Sequence, residues 1–414
     1  MILLTSRVKT LAIFAGLALL VGTAGWAFFQ SYKPPQPIRI GVLHSLTGTL
    51  AVSERPLVDA VQMAVTEINA RGGVLGRPLE MVVADGQSDP AVFAREAERL
   101  ITQEKVSVLF GCWTSASRKT VKPVVETHRH LLFYPVQYEG LEQSPNIIYT
   151  GSAPNQQIIP GTHWALENLG KRVYLLGSDY VFPRTANRII RDIVQAAGGQ
   201  VLGERYLPFD SSIDLEAAVA EIRRLKPDVI INTINGDNNF DFFQALQTTE
   251  AKNIPILSFS VSESELTNHP ELSFNAHYAA WSYFQSIATA NNRRFVADFK
   301  RLFGEHRATS DTIEAAYVGV HLWAQAAQDI GIVEPERVNN AVLLQSFDAP
   351  SSIISVDRAT RHTWKRVRIG KTEPDGQFKE LQASPYPLRP EPFPSYRSYA
   401  EWQQVVGEIS EELK

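Results

Sequence analysis

Short apolar runs and longer amphipathic runs alternate along the chain from residue 38 to residue 260. The run 38–43 (IRIGVL) predicts a strand buried on both faces. Residues 57–69 predict a helix with Val58, Val61, Met63, Ala64 and Ile68 on its apolar face, closed by Arg71-Gly72-Gly73. A strand at 79–84, a helix at 91–103, a strand at 106–110, a helix at 115–127 and a strand at 131–134 continue the rhythm. It resumes beyond residue 155 with helices at 158–169, 184–197, 215–225 and 240–248, and strands at 173–177, 201–206, 229–233 and 256–260. Two such series imply two parallel sheets covered by helices, with right-handed crossovers. The last third predicts helices near 292–303 and 311–327, then strand-like pieces at 353–356, 365–369 and 378–381, with a turn at Pro374-Asp375-Gly376. Prolines 385, 387, 390, 392 and 394 predict an irregular C-terminal course.

Composition adds boundaries to this picture. The 414 residues are 44% hydrophobic and 20% charged, with a net charge of -4 and no basic run, which argues against a nucleic-acid partner. The single cysteine, Cys112, follows Val108, Leu109 and Phe110 and reads as a small core residue. Residues 11–29 carry no charge and follow Arg7 and Lys9. As a helix they would cover roughly 28 Å, close to a bilayer core. They read as an export signal or membrane anchor, with Gly25-Trp26-Ala27 as a weak cleavage option and a proline-rich spacer at 32–37. Either way the folded body is expected outside the cytoplasm.

Enzyme and cofactor signatures are missing. The sequence has no G-x-G-x-x-G after the first strand, no H-E-x-x-H and no G-x-S-x-G. No metal or other cofactor is expected. His128 and His130 read as surface histidines, and Glu263 with Glu265 as a charge cluster starting a helix. The informative residues cluster instead after predicted strands, at the edge where open α/β sheets bind ligands. Trp113 and Ser115 follow one strand, Tyr134, Gln137 and Tyr138 a second, Tyr180 and Phe182 a third, and Asn235 and Asp237 a fourth. Five aromatic rings thus meet amide and hydroxyl groups at one edge.

The segments 41–49 (GVLHSLTGT), 67–76 (EINARGGVLG), 113–119 (WTSASRK), 134–140 (YPVQYEG), 153–157 (APNQQ) and 177–187 (GSDYVFPRTAN) carry a resemblance. So do 309–311 (TSD), 314–317 (EAAY), 347–350 (FDAP) and 375–378 (DGQF). In order and spacing they resemble the urea and short-chain amide branch of the type I periplasmic binding proteins. The resemblance implies an α/β chain of two doubly wound parallel-sheet lobes joined by a hinge, preceded by an N-terminal hydrophobic helix. Lobe 1 is then expected from 38–155 and 285–346, lobe 2 from 156–284 and 347–395, with 1–37 as signal or anchor plus spacer and 396–414 as a tail. It implies a binding protein, not an enzyme, that captures urea or a short-chain amide and delivers it to the permease and ATPase subunits of an ABC importer. Membrane contact would run only through the N-terminal segment. The alternative within this branch is a cytoplasmic amide sensor, against which Val136-Gln137, Phe182 and the hydrophobic N-terminus argue. Ser351-Ser352-Ile353 departs from the family's usual Glu-Gly-Pro. On this reading Ser115 and the helix it opens hold the ligand carbonyl. Gln137, Tyr134 and Tyr180 answer its edges, and Trp113 and Phe182 close the slot. With no clear basic anchor in the sequence, a neutral ligand is expected.

Overall fold

A computed structural model describes residues 35–208, 212–272 and 276–413. The expected N-terminal helix at 11–29 lies outside these residues; among the described ones, no helix is long and apolar enough to cross a membrane.

The first sheet holds β1 (Ile38–His44), β2 (Leu79–Asp85), β3 (Leu109–Gly111), β4 (Leu132–Tyr134) and β5 (Ile147–Tyr149) in the order β2-β1-β3-β4-β5. All neighbours pair in parallel. The second sheet takes β6 (Arg172–Ser178), β7 (Gln200–Leu207), β8 (Val229–Thr233), β9 (Ile256–Ser258) and β10 (His277–Trp281). After a separate hairpin of β11 (Ser346–Asp348) and β12 (Ile353–Ser355), this sheet is completed by β13 (Arg368–Thr372) and β14 (Phe378–Ala383). Its order is β14-β13-β10-β9-β8-β6-β7, with β13 and β14 antiparallel at one edge.

The chain passes between the sheets three times. It leaves the first after β5 and the second after β10. It then returns through helices Ala290–Phe303 and Asp311–Ile330 before re-entering the second sheet at β13. Helix Asp311–Ile330 packs on helix Ala51–Ala70 and on β3 and β4, so it belongs with the first lobe. Strand β1 is buried on both faces except at Arg39, as a strand sandwiched between helix layers must be.

Two glycines set the geometry near the lobe junction. A Cβ on Gly111 would lie 2.1 Å from the Leu43 carbonyl oxygen, so only glycine lets β3 end this close to β1. Cys112 then takes φ +66°, turning the chain towards helix Ser115–Thr127, and its buried side chain fits the expected core role. A Cβ on Gly151 would lie 2.0 Å from the Val136 carbonyl oxygen, where the first crossover presses on the loop after β4.

Several expectations need correcting. The first helix begins at Ala51 and carries Pro56 in its second turn, where the proline removes one backbone hydrogen bond. β5 and β10 were not separately predicted. The proline-rich tail ends in a helix, Tyr399–Glu412, which Ser398 and Glu401 cap reciprocally. That helix buries Trp402, Val405 and Ile409 and packs on helix Val181–Ala196. His130 is buried, with Nε2 2.9 Å from the Val106 carbonyl. Glu263 and Glu265 do open a helix, Glu263–Leu266, but both are buried and not solvated.

Candidate functional site

The loops after β3, β4, β6 and β8 meet between the lobes, and strand ends deliver every residue concerned. Thr114 caps helix Ser115–Thr127 by accepting from the Ser117 N–H at 3.0 Å, which fixes Ser115 in the first helical position. The Tyr134 hydroxyl at the end of β4 donates to the Trp113 carbonyl at 2.7 Å, tying the two first-lobe loops together.

Second-lobe groups close against them. Trp113 Nε1 donates to Asn235 Oδ1 at 3.4 Å, while the Asn235 N–H donates to Ser178 Oγ at 3.0 Å. Gln137 Nε2 donates to the Phe259 carbonyl at 2.9 Å, leaving its buried Oε1 without a protein partner. The Tyr180 and Phe182 rings lie 6.3 Å apart. Burial first, then Tyr134 and Glu139, pushes the Tyr180 hydroxyl well above its ordinary pKa, with Arg118 acting the other way. Helix Val181–Ala196, which Tyr180 precedes, packs against helix Ser115–Thr127 of the first lobe. Trp113, Ser115, Tyr134, Gln137, Tyr180, Phe182 and Asn235 are all buried.

Two expected members stand apart. Tyr138 lies behind the junction, stacked on Tyr149 with ring centroids 5.2 Å apart, its hydroxyl 2.6 Å from His362 Nε2. Asp237 sits exposed at the start of helix Asn238–Gln247, where burial and Asp241 raise its pKa and His269 lowers it.

Charged groups that sequence reasoning missed complete the site. Ser115 Oγ donates to Glu139 Oε2 and accepts from Arg118 Nη1 at 3.0 Å. Arg118 also donates to Glu142 Oε1 at 2.9 Å and to Glu139 Oε1 at 3.4 Å. Its guanidinium lies 4.8 Å from the Tyr134 ring centre and 4.5 Å from that of Tyr138. Glu142 further accepts from Lys119 at 3.2 Å and from the Tyr149 hydroxyl at 3.0 Å. Burial opposes the charge on Arg118, but Glu142 and Glu139 outweigh it and raise its pKa. Burial likewise disfavours the Glu142 carboxylate, and Arg118 and Lys119 overcome it to hold that pKa well below the usual range. The expectation of no basic anchor is thus corrected: a cation stands behind Ser115, already paired with two carboxylates. Its signal was a spacing of three in both halves, Ser115 to Arg118 on one helix and Glu139 to Glu142 on one loop.

This geometry matches a known architecture. The periplasmic binding protein domain family matches residues 38–399. The Leu/Ile/Val-binding protein homolog 7 of Brucella suis biovar 1 is 34% identical over 332 residues, which make up 75% of this chain and 82% of that protein. Homolog 8 from the same organism is 23% identical over 370 residues, 82% of this chain and 86% of its own length. A stretch of 142 residues is 28% identical to limonene hydroxylase of Geobacillus stearothermophilus, spanning 33% of this chain and 26% of that protein. Among solved structures, a solute binding protein of an ABC transporter from Rhodopseudomonas palustris BisB5, in complex with 3,4-dihydroxybenzoic acid, superposes with a TM-score of 0.77 at 21% identity, covering 86% of this chain and 99% of that one. A branched-chain amino acid transporter substrate binding protein from Streptococcus pneumoniae, in complex with isoleucine, gives 0.72 at 20% identity over 86% of this chain and all of that one (100%). With two α/β lobes, a buried polar junction between them and a family match over nearly the whole described body, the chain belongs to the periplasmic binding protein family.

Proposed function

We propose that the protein is the extracytoplasmic substrate-binding component of an ABC importer, and that it clasps urea or a short-chain amide between its lobes. The observation that carries the ligand class is the charge state of the junction. Arg118 is the basic group behind Ser115, and its charge is met by Glu139 and Glu142. A ligand carboxylate would find no unspent cation on it, whereas a planar neutral amide meets a set of polar edges. Burying an amide without partners costs about 1–3 kcal/mol, so such a set selects ligands able to answer it. On this reading the flat rings of Trp113, Tyr180 and Phe182, all buried at the junction, wall the ligand.

The importer role rests on the family and on its structural neighbours, one described as a solute binding protein of an ABC transporter and one as a transporter substrate binding protein. Delivery to permease and ATPase subunits follows from that role, and the uncharged segment 11–29 supplies the export or tether it requires. The names of the relatives favour a second reading, a branched-chain amino acid or an aromatic acid. The two readings part in a thermal-shift panel on the purified chain. Urea raises the melting temperature, acetamide raises it less, and leucine and 4-hydroxybenzoate leave it unchanged. A shift with leucine or 4-hydroxybenzoate and none with urea refutes the amide assignment.

A further inference from the structure

A serine hydroxyl has one donor and two acceptor lone pairs. At Ser115 the donor goes to Glu139 Oε2, and one lone pair takes the Arg118 Nη1 hydrogen at 3.0 Å. What remains to offer a ligand is a lone pair. The neighbours are committed in the same sense. The Tyr134 hydroxyl gives its hydrogen to the Trp113 carbonyl, and Gln137 gives its amide hydrogen to the Phe259 carbonyl. Because that carbonyl can only accept, the Gln137 amide is oriented with Nε2 towards it, and the buried Oε1 is left open.

We propose that Glu139 is a specificity-determining residue that fixes Ser115 as a hydrogen-bond acceptor, so that the first-lobe wall reads N–H donors and rejects carboxylates. This deepens the reading of a small amide ligand and rests on it. It also reverses the part expected of Ser115. The hydroxyl receives a ligand N–H, and the ligand carbonyl is left to the Ser115 and Ala116 N–H groups at the helix start, since the Ser117 N–H is already taken by Thr114. Urea, with four N–H donors, suits such a wall. Acetate has the shape of acetamide but offers acceptors only, and would set its oxygens against the Ser115 lone pair and the Glu139 carboxylate.

The test is calorimetric titration of the full chain with urea, acetamide and acetate, for the wild type, Glu139→Gln and Ser115→Ala. The wild type binds urea and acetamide and excludes acetate. In Glu139→Gln the side chain can donate to Ser115 Oγ as well as accept from it, so the hydroxyl is no longer fixed as an acceptor; urea affinity drops about tenfold or more, the scale of losing a charge-assisted bond, while acetate binding appears. In Ser115→Ala urea weakens by a similar factor of about ten, and acetate stays excluded because Glu139 remains. Ser115→Ala uncovers no unpaired cation, so it carries the test even where Glu139→Gln lowers stability. If Glu139→Gln keeps the wild-type preference for urea over acetate, or Ser115→Ala binds urea unchanged, the assignment to Glu139 falls while the amide reading stands. A wild type that binds acetate or leucine in place of urea overturns both.

Discussion

Arg118 has no exposed side-chain surface and lies between two tyrosine rings and two glutamates. Such a pair adds little net stability when complete but costs much when broken, because one partner is left charged and buried. Arg118→Met is therefore expected to cost about 3–5 kcal/mol, read by calorimetry as a lower melting temperature, and adding Glu142→Gln should recover part of it. A single variant that melts with the wild type contradicts this account of the ion network. Single residues differed in how far the sequence disclosed them. That Trp113, Ser115, Tyr134, Tyr180 and Asn235 gather at the lobe junction was legible because each lies at or after a strand end. The partners of Arg118 lie 21 and 24 positions away, and only the adjacency of β3 and β4 brings them together. No local pattern encodes that adjacency, so the cation was overlooked.

At the scale of elements, the strand-helix alternation was legible because its apolar runs are long, and helix Ser115–Thr127 has the limits its caps predict. β5 is three residues long and β10 begins with a histidine, so neither carries enough periodicity to stand out. The proline run concealed a terminal helix whose signal was the capping box at Ser398 and Glu401.

Helix Glu263–Leu266 gives a pH prediction. Burial is the largest influence on Glu263, Glu265 and Glu314, pushing them up to about 8, about 7 and about 7. Each still accepts hydrogen bonds: Glu263 from the Gln285 N–H at 2.8 Å, Glu265 from Ser53 Oγ at 2.5 Å and from the Ser262 N–H at 3.0 Å and Oγ at 3.2 Å, and Glu314 from the Ser351 N–H at 2.7 Å. Unfolded glutamates titrate near 4.3, so the folded state holds more protons above that value. Stability from these groups is full below the unfolded pKa and is lost as pH rises through the folded values, at up to about 1.4 kcal/mol per group per pH unit. Burial pushes His277, His321 and His362 down to about 3, so their opposing contribution is complete above about pH 6.5, the ordinary histidine value. Melting temperature is therefore expected to fall from about pH 6.5 to about pH 8. Glu265→Gln, which keeps a partner for Ser53 without the charge, should flatten that slope. An equal slope in the variant would show that Glu265 is not a source of it.

For the whole molecule, the lobes touch through side chains of both. Ser53 reaches Glu265, Trp113 reaches Asn235, and Gln137 reaches the Phe259 carbonyl. With the junction residues buried in this arrangement, a ligand held there as proposed would enter only when the lobes part, and its binding would favour the closed form. The two-sheet plan was legible from the rhythm of the chain, but the closeness of the lobes was not, since it depends on contacts 122 to 212 positions apart in sequence.

The central claim is that a small uncharged amide is held between the lobes. A ligand of four heavy atoms gains at most about 6 kcal/mol, which corresponds to a dissociation constant of roughly tens of micromolar. Calorimetric titration of the wild-type chain with urea tests this most directly. The account predicts one saturable site of that order, undisturbed by excess leucine. No heat with urea, together with saturable binding of leucine, would contradict it.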